Sequence, residues 1–418
     1  MFLLVYGQLH DRIALMISAQ IVIYTFLFIS LYFEVFMLIT FFEHMGKTKR
    51  EKSSFFPSVA VIVPCWNEET TVSGTIKSLL ELDYPKDKLQ IIAVDDGSTD
   101  NTLNILNTFK SQVTVISKEN GGKHSAMNEA LLHTDAEFVG CLDADSYVEK
   151  SALTELIRHF EDEDVAAVTP SIKIHNANSL LQIVQKAEYG LAIFVRKAFS
   201  LMGALFITPG PFSFFRRSVI EEIGPWRHAH GVEDLEMCLR LQMNHKRVEN
   251  EPDAIVHTTA PRNLHQLYTQ RVRWTYGFLK NVSIYRKMFF NPKYGTLGMF
   301  ILPISFLSIF SALTLFSVVI WNTAIMVVRE FVRFQSIGIQ APSANFDLYF
   351  IPTSSVLIIT IILISLTFVL MGIGKKMAKD SIVSLDMPVY LLIYGFITPL
   401  WLGASLFKVI VGKSAKWR

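Results

Sequence analysis

LQIIAVDDGSTDNTLNILN, residues 89–107, opens as an apolar β-branched run, passes through a cluster of turn-forming polar residues, and continues as a helical segment. The pattern is not isolated. SVAVIVPCWNE (58–68) precedes it as another short strand ending in polar residues, and VTVISKENGG (113–122) follows, running into the helical KHSAMNEALLH (123–133). A further strand, EFVGCLDADS (137–146), extends the series. Strand, turn and helix in succession predict an α/β domain with a mostly parallel sheet and helices on both faces. Ligands of such sheets bind beyond the carboxyl ends of the strands. Asn67, Glu68, Asp95, Asp96, Asp143 and Asp145 all fall at those ends.

The ends of the chain differ in kind. Of 418 residues, 51% are hydrophobic and 18% charged, too apolar for an ordinary soluble protein and too charged for membrane spans alone. Ile13 to Phe42 carries the single charge Glu34, and Gly295 to Val328, Leu348 to Ile373 and Met387 to Phe407 carry none. Each is long enough to cross a bilayer core, which takes about 20 apolar residues. The expected organisation is an N-terminal transmembrane helix (1–45), a central α/β domain (46–263), interfacial helices (264–294) and a C-terminal membrane region of about three helices (295–418). The first of those three is longer than one crossing needs; tilt, a bend near Pro303 or an interfacial start would absorb the excess. A cleaved signal peptide is a poor reading of the first span, which lacks a basic leader and a small-residue cleavage site. Lys47, Lys49, Arg50 and Lys52 place the central domain on the cytoplasmic side of a plasma or inner membrane. Three further crossings would then put Lys413, Lys416 and Arg418 outside, so the last segment, with Pro388 and Pro399, is alternatively broken or interfacial. Cys65, Cys141 and Cys238 form no CxxC pair, which argues against a disulfide framework or a zinc site, and no nucleic-acid signature is present.

Within LDADS, Asp143 and Asp145 stand two apart on an extended segment and face the same way. Paired carboxylates repel unless a cation or proton intervenes, and oxygen ligands suit Mg²⁺ or Mn²⁺. A lone DxD is nevertheless more often a solvated acidic turn. In DDGSTD, Ser98 or Thr99 suits a helix cap, and Asp95 suits a base N–H. NGGK puts two glycines and Lys123 at a helix start, a modest phosphate signal that matches neither GxGxxG nor a P-loop. Glu233 and Asp234 open an apolar-periodic segment. On the residues alone, an acidic helix start is the stronger reading, and a general base the other. His257 reads as a satisfied core histidine rather than a ligand.

Two segments, 179–206 and 264–290, mix Lys and Arg with Phe, Tyr and Leu at helical spacing and read as interfacial helices. Arg196, Lys197, Arg286 and Lys287 are expected at headgroups, as is Arg271. Glu34 is expected to face the helix bundle or a wet pathway.

Taken in order, VDDGSTD, NGGKHSA, DADS, GPFSFFRRSVIEEIGPW, GVEDLEMCLRLQ and QRVRW resemble the processive family 2 glycosyltransferases, which include hyaluronan, chitin, cellulose and poly-N-acetylglucosamine synthases. That resemblance implies a GT-A domain that binds a UDP-sugar, of the UDP-GlcNAc or UDP-Glc type. It implies Asp95 and Asp96, with Asn67 and Glu68, around the uridine, and Lys123 near the phosphates. Asp145 and Asp143 would hold Mg²⁺ or Mn²⁺ on the diphosphate, with Asp143 also on the donor side. Asp234 would be the general base and Glu233 its catalytic neighbour. Gln270, Arg273 and Trp274 match Q-x-x-R-W, over the diphosphate and the acceptor end, and Gly210, Pro211 and Phe212 align with the segment lining the acceptor. The implied activity is a membrane-integrated inverting transferase that extends a growing β-linked polysaccharide and passes it through the bilayer; addition of one sugar to a lipid carrier is the alternative. A single clear N-terminal span and the lack of a cysteine in the acceptor segment depart from some relatives.

Overall fold

The computed structural model describes residues 2–45, 54–337, 354–382 and 384–413. Lys47, Lys49, Arg50, Lys52, Lys416 and Arg418, on which the expected orientation rests, lie outside the described residues. In chain order the regular elements begin α1 (Phe2–His44), β1 (Val59–Cys65), α2 (Val72–Leu80), β2 (Leu89–Asp96), α3 (Thr102–Asn107), β3 (Thr114–Lys118) and α4 (Lys123–Leu131). Next come β4 (Phe138–Cys141), β5 (Ser146–Val148), α5 (Ala152–Ile157), β6 (Val165–Ile174), α6 (Leu180–Leu201), β7 (Ser213–Arg216) and α7 (Arg217–Ile223). The chain continues through α8 (Glu233–Met243), β8 (Arg247–Thr258), α9 (Leu264–Ile284), α10 (Leu302–Ile337), α11 (Ser355–Met377) and α12 (Asp386–Val411).

The strands form one eight-stranded sheet in the order β3-β2-β1-β4-β7-β6-β8-β5. Its first four strands are parallel, as the sequence pattern predicts. Val59 to Val63 of β1 are fully buried, as expected for a strand covered on both faces. The second half is mixed. β7 runs antiparallel to both β4 and β6, and β5 antiparallel to β8. The antiparallel entry of β7 has a consequence for the site: Cys141, at the carboxyl end of β4, pairs with Ser213, at the start of β7. Residues 210–212 are thereby delivered beside the DxD turn.

The chain divides into two compact units, one of residues 1–39 and 307–369, the other of 40–306 and 370–418. The sheet belongs to the second, which also holds α6, α9 and α12. α12 packs against both α9 and α6, and Ser405 Oγ on α12 donates to the Val272 carbonyl of α9 at 3.2 Å. The last apolar segment is one unbroken helix. Pro388 sits in its first turn, where no N–H bond is lost, and Pro399 lies inside, opposite the unhindered Gly395. A π-helical turn, Leu297–Ile301, precedes α10 and takes up part of that segment's excess length. Within the first unit, Thr367 donates to Glu34 at 2.8 Å, so the span carboxylate faces its bundle neighbour. Among the described residues, four helices, Gln20–His44, Leu297–Ser336, Ser355–Met377 and Asp386–Val411, are long and apolar enough to cross a membrane.

Candidate active site

The sheet's register gathers the carboxylates. Cys65, Asp95 and Ser117 lie side by side across β1, β2 and β3, and Asp96 lies beside Lys118. Asp95 is buried; Ser117 Oγ donates to its Oδ2 at 3.4 Å, while its Oδ1 has no hydrogen-bond partner among the described residues. An orphaned buried carboxylate oxygen is costly, and a ligand N–H would satisfy it.

Asp96 is different. Its carboxylate accepts from Gly121 N–H at 3.0 Å, Gly122 N–H at 2.7 Å and the Lys118 ammonium at 2.9 Å. The glycine-loop amides that suggested a phosphate cradle are therefore occupied by Asp96 itself, and Asp96 is buried as the brace of that loop rather than free to meet a nucleoside. Lys118 is the partner that the sequence pattern did not single out. Ser98 and Thr99 cap no helix either; α3 begins at Thr102, whose N–H is taken by Asp100. They brace β1 to β2 instead, Ser98 Oγ accepting from Asn67 N–H at 3.0 Å and Thr99 N–H donating to Asn67 Oδ1 at 2.8 Å. Asn67 holds φ at +55°, a left-handed conformation that asparagine tolerates well. Glu68 follows, its carboxylate accepting from Thr71 Oγ1 at 2.9 Å.

Asp143 and Asp145 lie in the turn between β4 and β5, half-buried, with Leu142 and Ala144 buried on the other side. The segment is a turn rather than extended, closed by Ser146 N–H on the Asp143 carbonyl at 3.0 Å, and the two carboxylates are near enough for the charge of one to act on the other. Burial, then the charges of Asp143 and Glu68, push the Asp145 carboxyl up to about 7. Clustered carboxylates of this kind, only partly offset by Lys123, fit a divalent cation, with remaining positions left to a ligand's oxygens and water. No group of three or more His, Cys, Asp or Glu suited to a metal occurs among the described residues. Lys123, at the start of α4, forms an ion pair with Asp143. Burial opposes the lysine's charge, but Asp143 overrides it and holds the ammonium protonated.

Gly210 completes this corner. A methyl group there would meet Lys123 Nζ at 2.5 Å and Asp143 Oδ2 at 3.1 Å, so any side chain at 210 would have to displace the lysine's flexible tip. Pro211 is half-buried beside it. Phe212 corrects its expected place on the acceptor: its side chain is fully buried in the core, edge-to-face with Phe214 at 5.0 Å, and its strained φ of +65° turns it inward.

Glu233 and Asp234 begin α8, an acidic helix start as the residues alone suggest. The Thr208 hydroxyl donates to the Asp234 carbonyl at 2.8 Å, tying the acceptor segment to the helix start. The Asp234 side chain faces a cleft of about 260 Å³, open mouth included, lined by Lys123, Cys141, Thr208, Gly210, Glu233 and Asp234 among others. Burial raises both carboxyls, Glu233 to about 7, against the pull of Lys123 and Arg273.

From α9, Arg273 reaches the same place, donating to the Gly231 carbonyl at 2.6 Å just ahead of Glu233. Gln270 points a buried, unpartnered Oε1 from one turn earlier, and Trp274 is half-buried one residue on. Arg271 is not a headgroup contact. It is buried, paired with Glu188 of α6 at 2.7 Å, and stacked 4.4 Å from the Trp274 ring. Arg196 and Lys197 also turn inward: Lys197 donates to the Asn250 carbonyl, and Arg196 buries Nε and Nη2 without a partner among the described residues. Arg286 and Lys287 remain exposed. His257, on β8 between β6 and β5, takes Glu149 as its partner at 3.0 Å, a satisfied histidine.

Residues 60–224 match the glycosyl transferase family 2 profile. A poly-β-1,6-N-acetyl-D-glucosamine synthase of Staphylococcus epidermidis is 33% identical over 224 residues, 52% of this chain and 54% of that protein. The synthase of Staphylococcus aureus is 32% identical over the same length. The chain thus matches only about half the length of these curated relatives. Among solved structures, a mannosyltransferase from Pyrobaculum calidifontis, in complex with GDP-Man and Mn²⁺, aligns over 95% of this chain and 99% of its own at a TM-score of 0.54 and 18% identity, a likeness of fold. The sheet and the matched segment agree: residues 60–224 are similar to glycosyl transferase family 2 and form a GT-A-like fold, with apolar helices before and after them in the sequence.

Proposed function

We propose that the chain is a membrane-integrated inverting glycosyltransferase that extends a β-linked polysaccharide from a UDP-sugar, with UDP-GlcNAc the first donor to test. One observation carries the reading: Glu233 and Asp234 line one cleft with Lys123 and Gly210, and Arg273 of the QxxRW helix, bonded to the Gly231 carbonyl two residues before Glu233, acts on both carboxyls. A site confined to nucleotide binding has no need of a buried base pair there.

Asp95 Oδ1 is free to accept from the uracil N–H, with Asn67 and Glu68 holding the loop that shapes the base pocket. Asp143 and Asp145 would hold Mg²⁺ or Mn²⁺, which when bound neutralises charge gathering on the departing diphosphate. Lys123 and Arg273 add fixed positive charge on the same side. Asp234 takes the proton of the acceptor hydroxyl as its oxygen attacks the anomeric carbon. The bond from that carbon to the diphosphate breaks, UDP leaves with the electron pair, and the configuration inverts from α to β. Glu233 shares the buried helix start and tunes the base. Trp274, Gly210 and Pro211 frame the acceptor end.

In this reading the four apolar helices hold the site at the cytoplasmic face of the membrane, and the product leaves through the bilayer. Purified chain in detergent, given UDP-GlcNAc with Mg²⁺ or Mn²⁺, is expected to release UDP and yield a ladder of oligosaccharides. A single sugar transferred to an isoprenoid phosphate, without a ladder, would favour the lipid-carrier alternative. No UDP release from any UDP-sugar with either metal would defeat both.

A further inference from the structure

The Q-x-x-R-W helix is held from behind by residues far away in sequence. Glu188 Oε2 on α6 accepts from Arg271 Nη2 at 2.7 Å and from the Tyr394 hydroxyl of α12 at 2.7 Å. Arg271 sits three residues before Trp274, on the same face of α9, with its guanidinium 4.4 Å from the indole centroid. Arg271 and Tyr394 are each only 6% exposed. A buried ion pair is a poor source of net stability, because desolvation offsets its attraction. What it supplies well is a fixed orientation. The planar guanidinium, pinned edge-on by Glu188, lies over the indole and fixes its rotation.

We propose that Glu188 and Tyr394 are positioning residues for the acceptor: acting through Arg271, they set the angle of the Trp274 ring against which the growing chain's terminal sugar rests. The proposal depends on the acceptor role of Trp274 given above. It assigns function to one residue of α6 and one of α12, neither of which lies in the matched sequence motifs.

The test is affinity, measured on the full chain in detergent for two probes, UDP and a β-1,6-linked N-acetylglucosamine hexamer. Tyr394→Phe and Glu188→Gln are each expected to weaken hexamer binding by about three- to tenfold, the range of one oriented cation–π contact. UDP affinity should stay within about twofold. In a Trp274→Leu background neither change should cost more, since the ring they orient is gone. Tyr394→Phe keeps the packing volume and decides the matter if Glu188→Gln folds poorly. The proposal is overturned if UDP and hexamer affinities fall together, if the losses multiply with Trp274→Leu, or if the unaltered chain binds no hexamer. Its fate is separable from that of the proposed activity. Hexamer binding weakened as described, without UDP release from UDP-GlcNAc, sinks the activity and leaves the positioning role standing. Normal UDP release with unaltered hexamer binding in both variants does the reverse.

Discussion

Gly277 of α9 lies against Val232, so closely that a methyl group at position 277 would meet Val232 Cγ2 at 2.3 Å. Val232 is the residue before Glu233 and Asp234, so this contact sets how near the Q-x-x-R-W helix comes to the base. Gly277→Ala must push the helix away or turn the valine. Overpacking of this kind costs about 1–3 kcal/mol of stability. The expected result is a modestly lowered Tm with a disproportionate loss of UDP release, and a Val232→Ala second change should recover part of it. Loss of stability without loss of turnover would show that the approach of α9 is not needed for catalysis.

Gly210→Ala acts on the other wall of the cleft. The methyl group displaces the Lys123 ammonium and crowds Asp143. Lysine is flexible, so stability should change little. The metal and diphosphate side is where the effect should appear, as a several-fold higher Mn²⁺ concentration for half-maximal rate. An unchanged metal dependence would separate Gly210 from the Asp143 corner.

The rate should depend on pH in a defined direction. Burial raises the Glu233 carboxyl to about 7 and raises Asp234 as well. A general base works only when deprotonated, and burial raises the Asp234 carboxyl, so turnover at saturating donor should climb with pH through a midpoint above the ordinary carboxylate range and fall off below it. Asp234→Asn removes the base without changing shape and should lower the rate by about 10²–10⁴-fold, the usual span of general-base catalysis. A pH-independent rate between 5.5 and 8 would argue that neither carboxyl takes the proton.

Asp95→Ala tests the nucleoside end. Its unpartnered Oδ1 is the feature that a uracil N–H would satisfy. Removing a charged acceptor from such a bond should raise the UDP inhibition constant by about tenfold or more. Asp96→Ala should behave differently, loosening the Gly121–Gly122 loop and lowering Tm, because its oxygens are already committed to the protein.

The parallel half of the fold was legible because β1 to β4 are continuous apolar runs that each end in polar turn residues, a pattern with few other readings. The antiparallel half was not. β7 is four residues long inside GPFSFFRR, and its direction follows from pairing with β4 and β6, which no local spacing reveals. The site shows the same division. Asp143 and Asp145 fall in the turn after β4 and Asp234 in the first turn of α8, local placements that their spacing and order indicate. The inward turn of Phe212, the capture of the glycine loop by Asp96 and the burial of Arg271 could not be read that way. Each depends on a partner brought close by tertiary folding: Phe214, Gly121 with Gly122, and Glu188. Charged residues at helical spacing among aromatics read as headgroup contacts until such a partner is known.

The central claim is transfer from a nucleotide sugar with Asp234 as base, and the most direct measurement is UDP release by the purified full chain and by its Asp234→Asn variant. The assay uses UDP-GlcNAc with Mn²⁺ or Mg²⁺ and linkage-specific digestion of any product. The account predicts metal-dependent UDP release, a β-linked oligosaccharide ladder, and loss of both in the variant while UDP binding persists. Equal UDP release by the two proteins, or none from either with any UDP-sugar, would contradict it.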